Sequence, residues 1–219
     1  MKDRVLLMFI IFDFLFLGTG LLILLSALIT RADLTESPNL DNVARNLILR
    51  TCPSKAAIVN SVLVFVTFLV SVPAITMPRS RGLLKLTGYL TGVNALFTLV
   101  LGLTLWYETL KTRKNLLDIW MTLDVSAQSL LQTKFKCCGY MNSTTPPFVV
   151  DNVCPSAEVA AARLGCVFPF SSFANNFLDI IFTTAFGIVG VDTIFILSTT
   201  ILVKDRKEKA RYLQILEKS

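Results

Sequence analysis

The chain has 219 residues, 53% hydrophobic and only 16% charged, with a formal net charge of +6. A soluble chain carries about 25% charged residues, so the deficit and a mean hydropathy of +0.65 point to a single integral membrane domain. Histidine is absent, which excludes Cys–His and Ser–His catalytic pairs and removes the commonest general base and metal ligand.

A short N-terminal segment, 1–4, precedes the first predicted span at 5–29. That apolar run is far longer than the about 7–15 residues of a signal-peptide core, so it is read as a span. A loop at 30–55 follows, then a second span at 56–76, a turn at 77–82, a third span at 83–107, a large loop at 108–177, a fourth span at 178–203 and a tail at 204–219. Each span meets the about 20 apolar residues a bilayer requires. The expected fold is an all-α integral membrane bundle of four transmembrane helices, with a small first outer loop and a disulfide-stapled large second one.

Basic residues set the orientation. Lys2, Arg4, Arg79, Arg81, Lys85, Lys204, Arg206, Lys207, Lys209, Arg211 and Lys218 crowd three short segments, and the other ten lysines and arginines are spread over two much longer loops. The dense side is predicted to be cytosolic, with both termini on it. This charge lies beside apolar segments rather than in a soluble basic stripe, so nucleic acid is not an expected partner. All five cysteines then lie outside, in the compartment where disulfides persist. The sequon Asn142-Ser143-Thr144 falls on the same side and makes Asn142 a candidate glycosylation site.

In the large loop, Leu116, Trp120, Leu123, Ala127 and Leu130, joined by Leu131, recur at helical spacing and form one apolar face. No proline or glycine interrupts Trp106 to Lys136, so the third span is expected to continue outward as one helical stalk. Its natural partner is 167–176, leading into the fourth span. Next comes Cys137-Cys138-Gly139. Adjacent thiols cannot easily bond to each other, because a bridge wants Cα atoms about 5.5–6 Å apart in a suitable orientation. Two more cysteines, Cys154 and Cys166, are available; four cysteines allow three connectivities, and geometry disfavours only the adjacent one. Gly139 is expected to supply a positive φ where the chain turns.

These features resemble the tetraspanins: four spans, a small first loop, a short cytosolic turn and a large second loop. The most specific stretch is Leu131-Gln132-Thr133-Lys134-Phe135-Lys136-Cys137-Cys138-Gly139-Tyr140, which looks like the family's end-of-helix signature. The resemblance implies the pairing Cys137–Cys166 and Cys138–Cys154, leaving Cys52 without a required partner. The chain departs from the pattern in one respect: the penultimate cysteine usually follows a proline-containing motif, whereas Pro155 follows Cys154. With four loop cysteines and a brief variable part, it is most similar to the compact tetraspanins of filamentous fungi, whose relatives are linked to polarised growth and host penetration.

Asp13, Asn94 and Asp192 fall inside the first, third and fourth spans. An aspartate at a helix centre costs about 2.5–3.5 kcal/mol on insertion scales. Helical rise puts Asp13 about 12 Å, Asn94 about 13 Å and Asp192 about 18 Å from the cytosolic ends, so one inter-helix cavity is expected to hold all three. The cluster reads either as structural, setting helix register, or as the lipid cavity that the resemblance implies, where a sterol or other lipid would be bound. A catalytic aspartate pair lacks its motif, since Asp192 follows Gly190-Val191 and Asp13 follows no tyrosine. Gly18, Gly20 and Gly88-x-x-x-Gly92 are candidates for close helix contact.

No enzyme, metal site or resident cofactor is expected. The resemblance implies a scaffold of the plasma or endosomal membrane that assembles membrane proteins, other tetraspanins and lipids laterally. A claudin-like barrier protein is the alternative, but claudins place their cysteine-bearing loop after the first span. A small transporter is another, although few polar residues line the spans.

Overall fold

The computed structural model describes residues 2–77 and 81–218. Among them are eight helices and no strand: α1 (Lys2–Thr35), α2 (Val43–Thr51), α3 (Ser54–Thr76), α4 (Arg81–Leu110), α5 (Thr112–Thr122), α6 (Val125–Phe135), α7 (Ala157–Ala161) and α8 (Val167–Lys218). An isolated bridge joins Thr144 to Pro147. Residues 78–80, Arg79 among them and half of the expected 77–82 turn, lie outside the described residues. Segments Arg4–Thr35, Ser54–Thr76, Gly82–Leu110 and Val167–Leu216 are long and apolar enough to cross a membrane. Helix is the form such segments must take, because hydrocarbon offers nothing else to pair with backbone groups. The chain divides into two compact units, one of Met1–Ala27, Ser54–Gly102 and Thr183–Ser219, the other of Leu28–Pro53 and Leu103–Phe182.

The four-helix unit is built around Phe9, Phe16, Val64, Ala74, Leu84, Phe195 and Leu202. Phe9 and Phe16, two turns apart on α1, both contact Phe195 of α8, with ring centroids 5.3 and 5.1 Å away. Leu7, Ile11, Phe14 and Leu25 of the same helix are exposed, a surface suited to lipid and not to water. Pro73 sits near the end of α3, where the last carbonyls lack intrahelical donors. Arg206 supplies one, its Nη1 donating to the Ala74 carbonyl at 2.7 Å.

Of the glycines expected to admit close contact, Gly20 does so, since a Cβ there would strike the Val64 side chain, whereas a Cβ on Gly88 would make only ordinary contact with the Thr199 methyl, at 3.5 Å. Gly18 and Gly92 face open space, so the Gly88-x-x-x-Gly92 spacing does not operate as a pair.

The second unit, here the loop unit, builds its larger core mainly from helices. The stalk expected to run unbroken to Lys136 is interrupted twice. Lys111 leaves helical geometry at φ −107° and ψ 8°, beside Thr112, whose hydroxyl lies 2.8 Å from the Thr109 carbonyl and 2.7 Å from Asn175 Oδ1. Leu123 and Asp124 are extended, and the Trp120 carbonyl accepts from Leu123 N at 3.3 Å and from the Gln128 side-chain amide at 3.0 Å. Short polar side chains that bond to nearby backbone compete with helix in this way. The apolar stripe survives the breaks. Leu116, Trp120, Ala127 and Leu131 are buried against Phe170, Ala174 and Leu178 of α8. They also meet Val43, Ala44, Leu47 and Ile48 of α2, a helix that was not foreseen in the first loop.

Gly20 and Gly18 provide a matched test. In purified protein, Gly20→Ala is expected to lower the thermal unfolding midpoint, because overpacking costs about 1–3 kcal/mol. Gly18→Ala is expected to leave it level or raise it, since Ala is the better helix former by roughly 1 kcal/mol. Equal midpoints would mean that α1 and α3 are not in contact at Gly20.

Candidate functional site

The loop unit turns on the segment after α6. Lys136 closes that helix in the left-handed conformation at φ 52°, and Gly139 follows at φ 70°. A Cβ on Gly139 would run into the Asn142 carbonyl, so glycine is needed for space as well as for conformation. Residues 138–140 then lie alongside 164–167. Cys138 N donates to the Leu164 carbonyl at 3.1 Å, Cys166 N to Gly139 at 3.0 Å and Val167 N to Tyr140 at 2.9 Å. The two segments are so close that a side chain on Gly165 would overlap the Tyr140 and Met141 carbonyls. Sequence reasoning did not single out Gly165.

Cys137 stands at disulfide distance from Cys166 and Cys138 from Cys154, with Cα separations of 5.0 and 5.9 Å. The neighbours leave the chain in different directions. Cys137 and Cys166 belong to the helical core with Trp120, Leu131 and Phe170. Cys138 and Cys154 form a second, smaller core with Ala160, flanked by Phe148 and Val153.

Gln132 ties these parts together, and sequence reasoning gave it no role beyond the motif. It is fully buried. Its Nε2 donates to the Val149 carbonyl at 2.8 Å and to Asp151 Oδ2 at 2.7 Å. Its Oε1 accepts from Gly139 N at 3.2 Å and Val149 N at 3.0 Å. Asp151 in turn accepts from Val153 N and Cys154 N with its other oxygen, which positions the second cysteine. Tyr140 is buried against Trp120, its ring 5.5 Å away, and its hydroxyl donates to the Arg113 carbonyl at 2.8 Å. Burial pushes this phenol up to about 12. Asn142 is exposed, and its Oδ1 accepts from Thr144 N, Thr144 Oγ1 and Thr145 N at 2.7–2.9 Å. The sequon is thus an Asx turn.

Cys52 caps α2, is half-buried and has no disulfide partner. It packs against the helical core. Burial, helped by the negative charge of Glu108, pushes its thiol up to about 11.

In the four-helix unit Asp13, Asn94 and Asp192 are each 1% exposed. Ser71 of α3 donates to Asp13 Oδ2 at 2.6 Å, and Asn94 Nδ2 donates to Thr67 of α3 at 2.9 Å. Asn60 of α3 donates to Thr98 of α4 at 2.8 Å. The polar partners on α3 were not anticipated, although Asn60, Thr67 and Ser71 recur at the seven- and four-residue steps of one helical face. Among the described residues no group of three or more Cys, Asp or Glu side chains is placed to hold a metal ion.

Two measurements check the loop unit. Gln132→Ala is expected to lower its stability by roughly 1–3 kcal/mol for each buried group left without a partner; Ser129→Ala, which removes one peripheral contact to Asp151, is expected to have little effect. Chemical denaturation read by near-ultraviolet dichroism separates the two. Because the thiolate is the reactive species, Cys52 is expected to resist maleimide near neutral pH and to label only as the pH approaches about 11 or the protein unfolds. Rapid labelling of the folded protein at neutral pH would contradict that burial.

In comparisons with protein-family models, curated proteins and solved structures, nothing matches this chain.

Proposed function

We propose that the chain is a non-enzymatic, tetraspanin-like organiser of the membrane, which gathers partner proteins laterally and presents its loop unit on the outer surface. The observation that carries this reading is the division of two adjacent cysteines between two cores, within a compact loop unit. A compact, stapled recognition module suits lateral assembly better than chemistry. The small loop is part of that module through α2, with Lys134 Nζ donating to the Leu40 and Asp41 carbonyls at 3.0 and 2.7 Å. Other tetraspanins and membrane lipids belong to the same proposal as partners, as does a sterol or other lipid near the buried polar level. Plasma or endosomal membrane, with both termini cytosolic, is the proposed setting. Asn142 is the proposed glycan site, supported by its exposure. In a fungal cell the role would be support of polarised growth or host penetration.

Crosslinking in the native cell followed by mass spectrometry tests the organiser reading directly. The expected result is capture of integral membrane proteins through lysines of the loop unit, including Lys114 and Lys136. Recovery of the chain alone, at crosslinker levels that join known neighbours, would count against it. Orientation is tested separately: a C-terminal tag is expected to resist protease added to intact cells. Its cleavage from outside would reverse the topology.

A further inference from the structure

Beyond that reading, the loop unit contains a small cavity among α2, α4, α5 and α8. Thr51, Glu108, Thr112 and Asn115 supply its polar groups, and Leu116, Ala174 and Leu178 give it an apolar wall. Thr112, Leu116, Ala174 and Leu178 are at most 5% exposed, so this part of the site is fixed by the core. The cavity measures about 20 Å³, room for one water-sized group and little more. A sterol or a sugar ring does not fit.

The polar groups are rich in lone pairs and short of hydrogens. Thr51 Oγ1 donates its hydrogen to the Ile48 carbonyl at 2.6 Å. Thr112 Oγ1 also has one hydrogen, for which the Thr109 carbonyl and Asn175 Oδ1 already compete. Asn115 is oriented by Glu108: a carboxylate only accepts, so Asn115 Nδ2 faces it and the amide oxygen remains as a further acceptor. Glu108 enters neither ion pair found among the described residues, Arg45–Asp33 and Lys209–Asp205. The ammonium of Lys111, one turn on, lies instead over the Tyr107 ring, 4.3 Å from its centroid. The depth of the site is marked as well. Glu108 stands near the end of the apolar segment Gly82–Leu110. Just before it, Trp106 and Tyr107 are 45% and 49% exposed, as in the aromatic belts that lie at headgroup level.

We propose that this cavity binds the primary ammonium of a phosphatidylethanolamine headgroup, with Glu108 as its counter-ion and the Asn115 and Thr51 oxygens as further acceptors. An ammonium is water-sized, positively charged and carries three donors with no acceptor, which matches the cavity in volume, charge and hydrogen-bond sense. The trimethylammonium of phosphatidylcholine has no N–H to give and is too large. Phosphatidylserine sets a carboxylate beside its ammonium, which Glu108 would repel. A divalent cation wants several oxygen ligands, and one carboxylate answers it poorly. A lysine of a neighbouring protein has the right group, but at headgroup level the lipid is by far the more concentrated amine. The site rests on membrane residence and not on the organiser reading.

A water-soluble carbodiimide tests this on the full chain in nanodiscs of mixed phosphatidylethanolamine and phosphatidylcholine. The reagent joins a carboxylate to a primary amine in contact with it, and leaves as its urea. Asp179, exposed and next to Leu178, is the control carboxylate. Peptide mapping is expected to find the lipid amide on Glu108 in clear excess over Asp179. Equal labelling of the two would reduce the effect to headgroup proximity and overturn the site. Coupling of Glu108 to Lys111, or to a lysine of another protein, in place of the lipid would overturn it too. A second measurement follows the lipid retained through purification. Wild type is expected to favour phosphatidylethanolamine over phosphatidylcholine, and Glu108→Gln to lose about tenfold of that preference, as befits a lost hydrogen bond to a charged group. An unchanged preference in a variant whose near-ultraviolet dichroism is native would refute the assignment. If the variant does not fold, the wild-type adduct map decides alone. Failure on either count leaves the organiser reading untouched.

Discussion

Two neighbouring thiols that cannot bond to each other are the constraint on which the loop unit depends. Because Cys137 reaches Cys166 and Cys138 reaches Cys154, one short segment is shared by two cores, and the chain between must turn sharply at Gly139. The sequence separations are 29 and 16 residues, and restricting the unfolded loop in this way contributes about 2–4 kcal/mol per bridge. A unit of this size buries too little apolar surface to be comfortable without such help. Gln132 and Asp151 do the polar half of the same task, holding the Gly139 and Cys154 backbone amides in place.

The four-helix unit solves a different problem. Lipid gives apolar helices no reason to prefer one neighbour, so specific contacts set which faces meet. Asn60 with Thr98, Asn94 with Thr67 and Asp13 with Ser71 form a ladder along one face of α3. Inter-helix hydrogen bonds in membranes contribute on average about 0.6 kcal/mol each, so the ladder matters more for register than for stability. The Phe9, Phe16 and Phe195 rings, packed on one another, supply the dispersion that complements it.

What was legible in the sequence was what periodicity and composition encode. The four apolar segments and the stripe from Leu116 to Leu131 were visible because burial imposes a spacing that sequence must obey. The breaks at Lys111 and Leu123 were not, since neither proline nor glycine marks them; Thr112, Asp124 and Gln128 were the available signals. Helix α2 carried a four-residue apolar pattern, Val43-Ala44 and Leu47-Ile48, too short to stand out from a loop. Gln132 and Asp151 looked like ordinary surface polar residues, because their burial comes from segments far along the chain. The partners Thr67 and Ser71 were hidden for a related reason: hydroxyls satisfy themselves on the preceding turn in many membrane helices, so only tertiary placement reveals a second role.

The closeness of Trp120 to Tyr140 has an optical consequence. The chain has two tryptophans; Trp120 is 1% exposed and Trp106 is 45% exposed. An indole 5.5 Å from a buried phenol accepts its excitation efficiently, and both belong to the apolar core that contains Cys137 and Cys166, whose bridge is a natural quencher. Folded protein therefore carries a quenched emitter, Trp120, together with Trp106 near the end of the third apolar helix. Reduction of the bridge would change their balance before any helix melted, giving the loop unit an intrinsic fluorescent gauge of its own redox state.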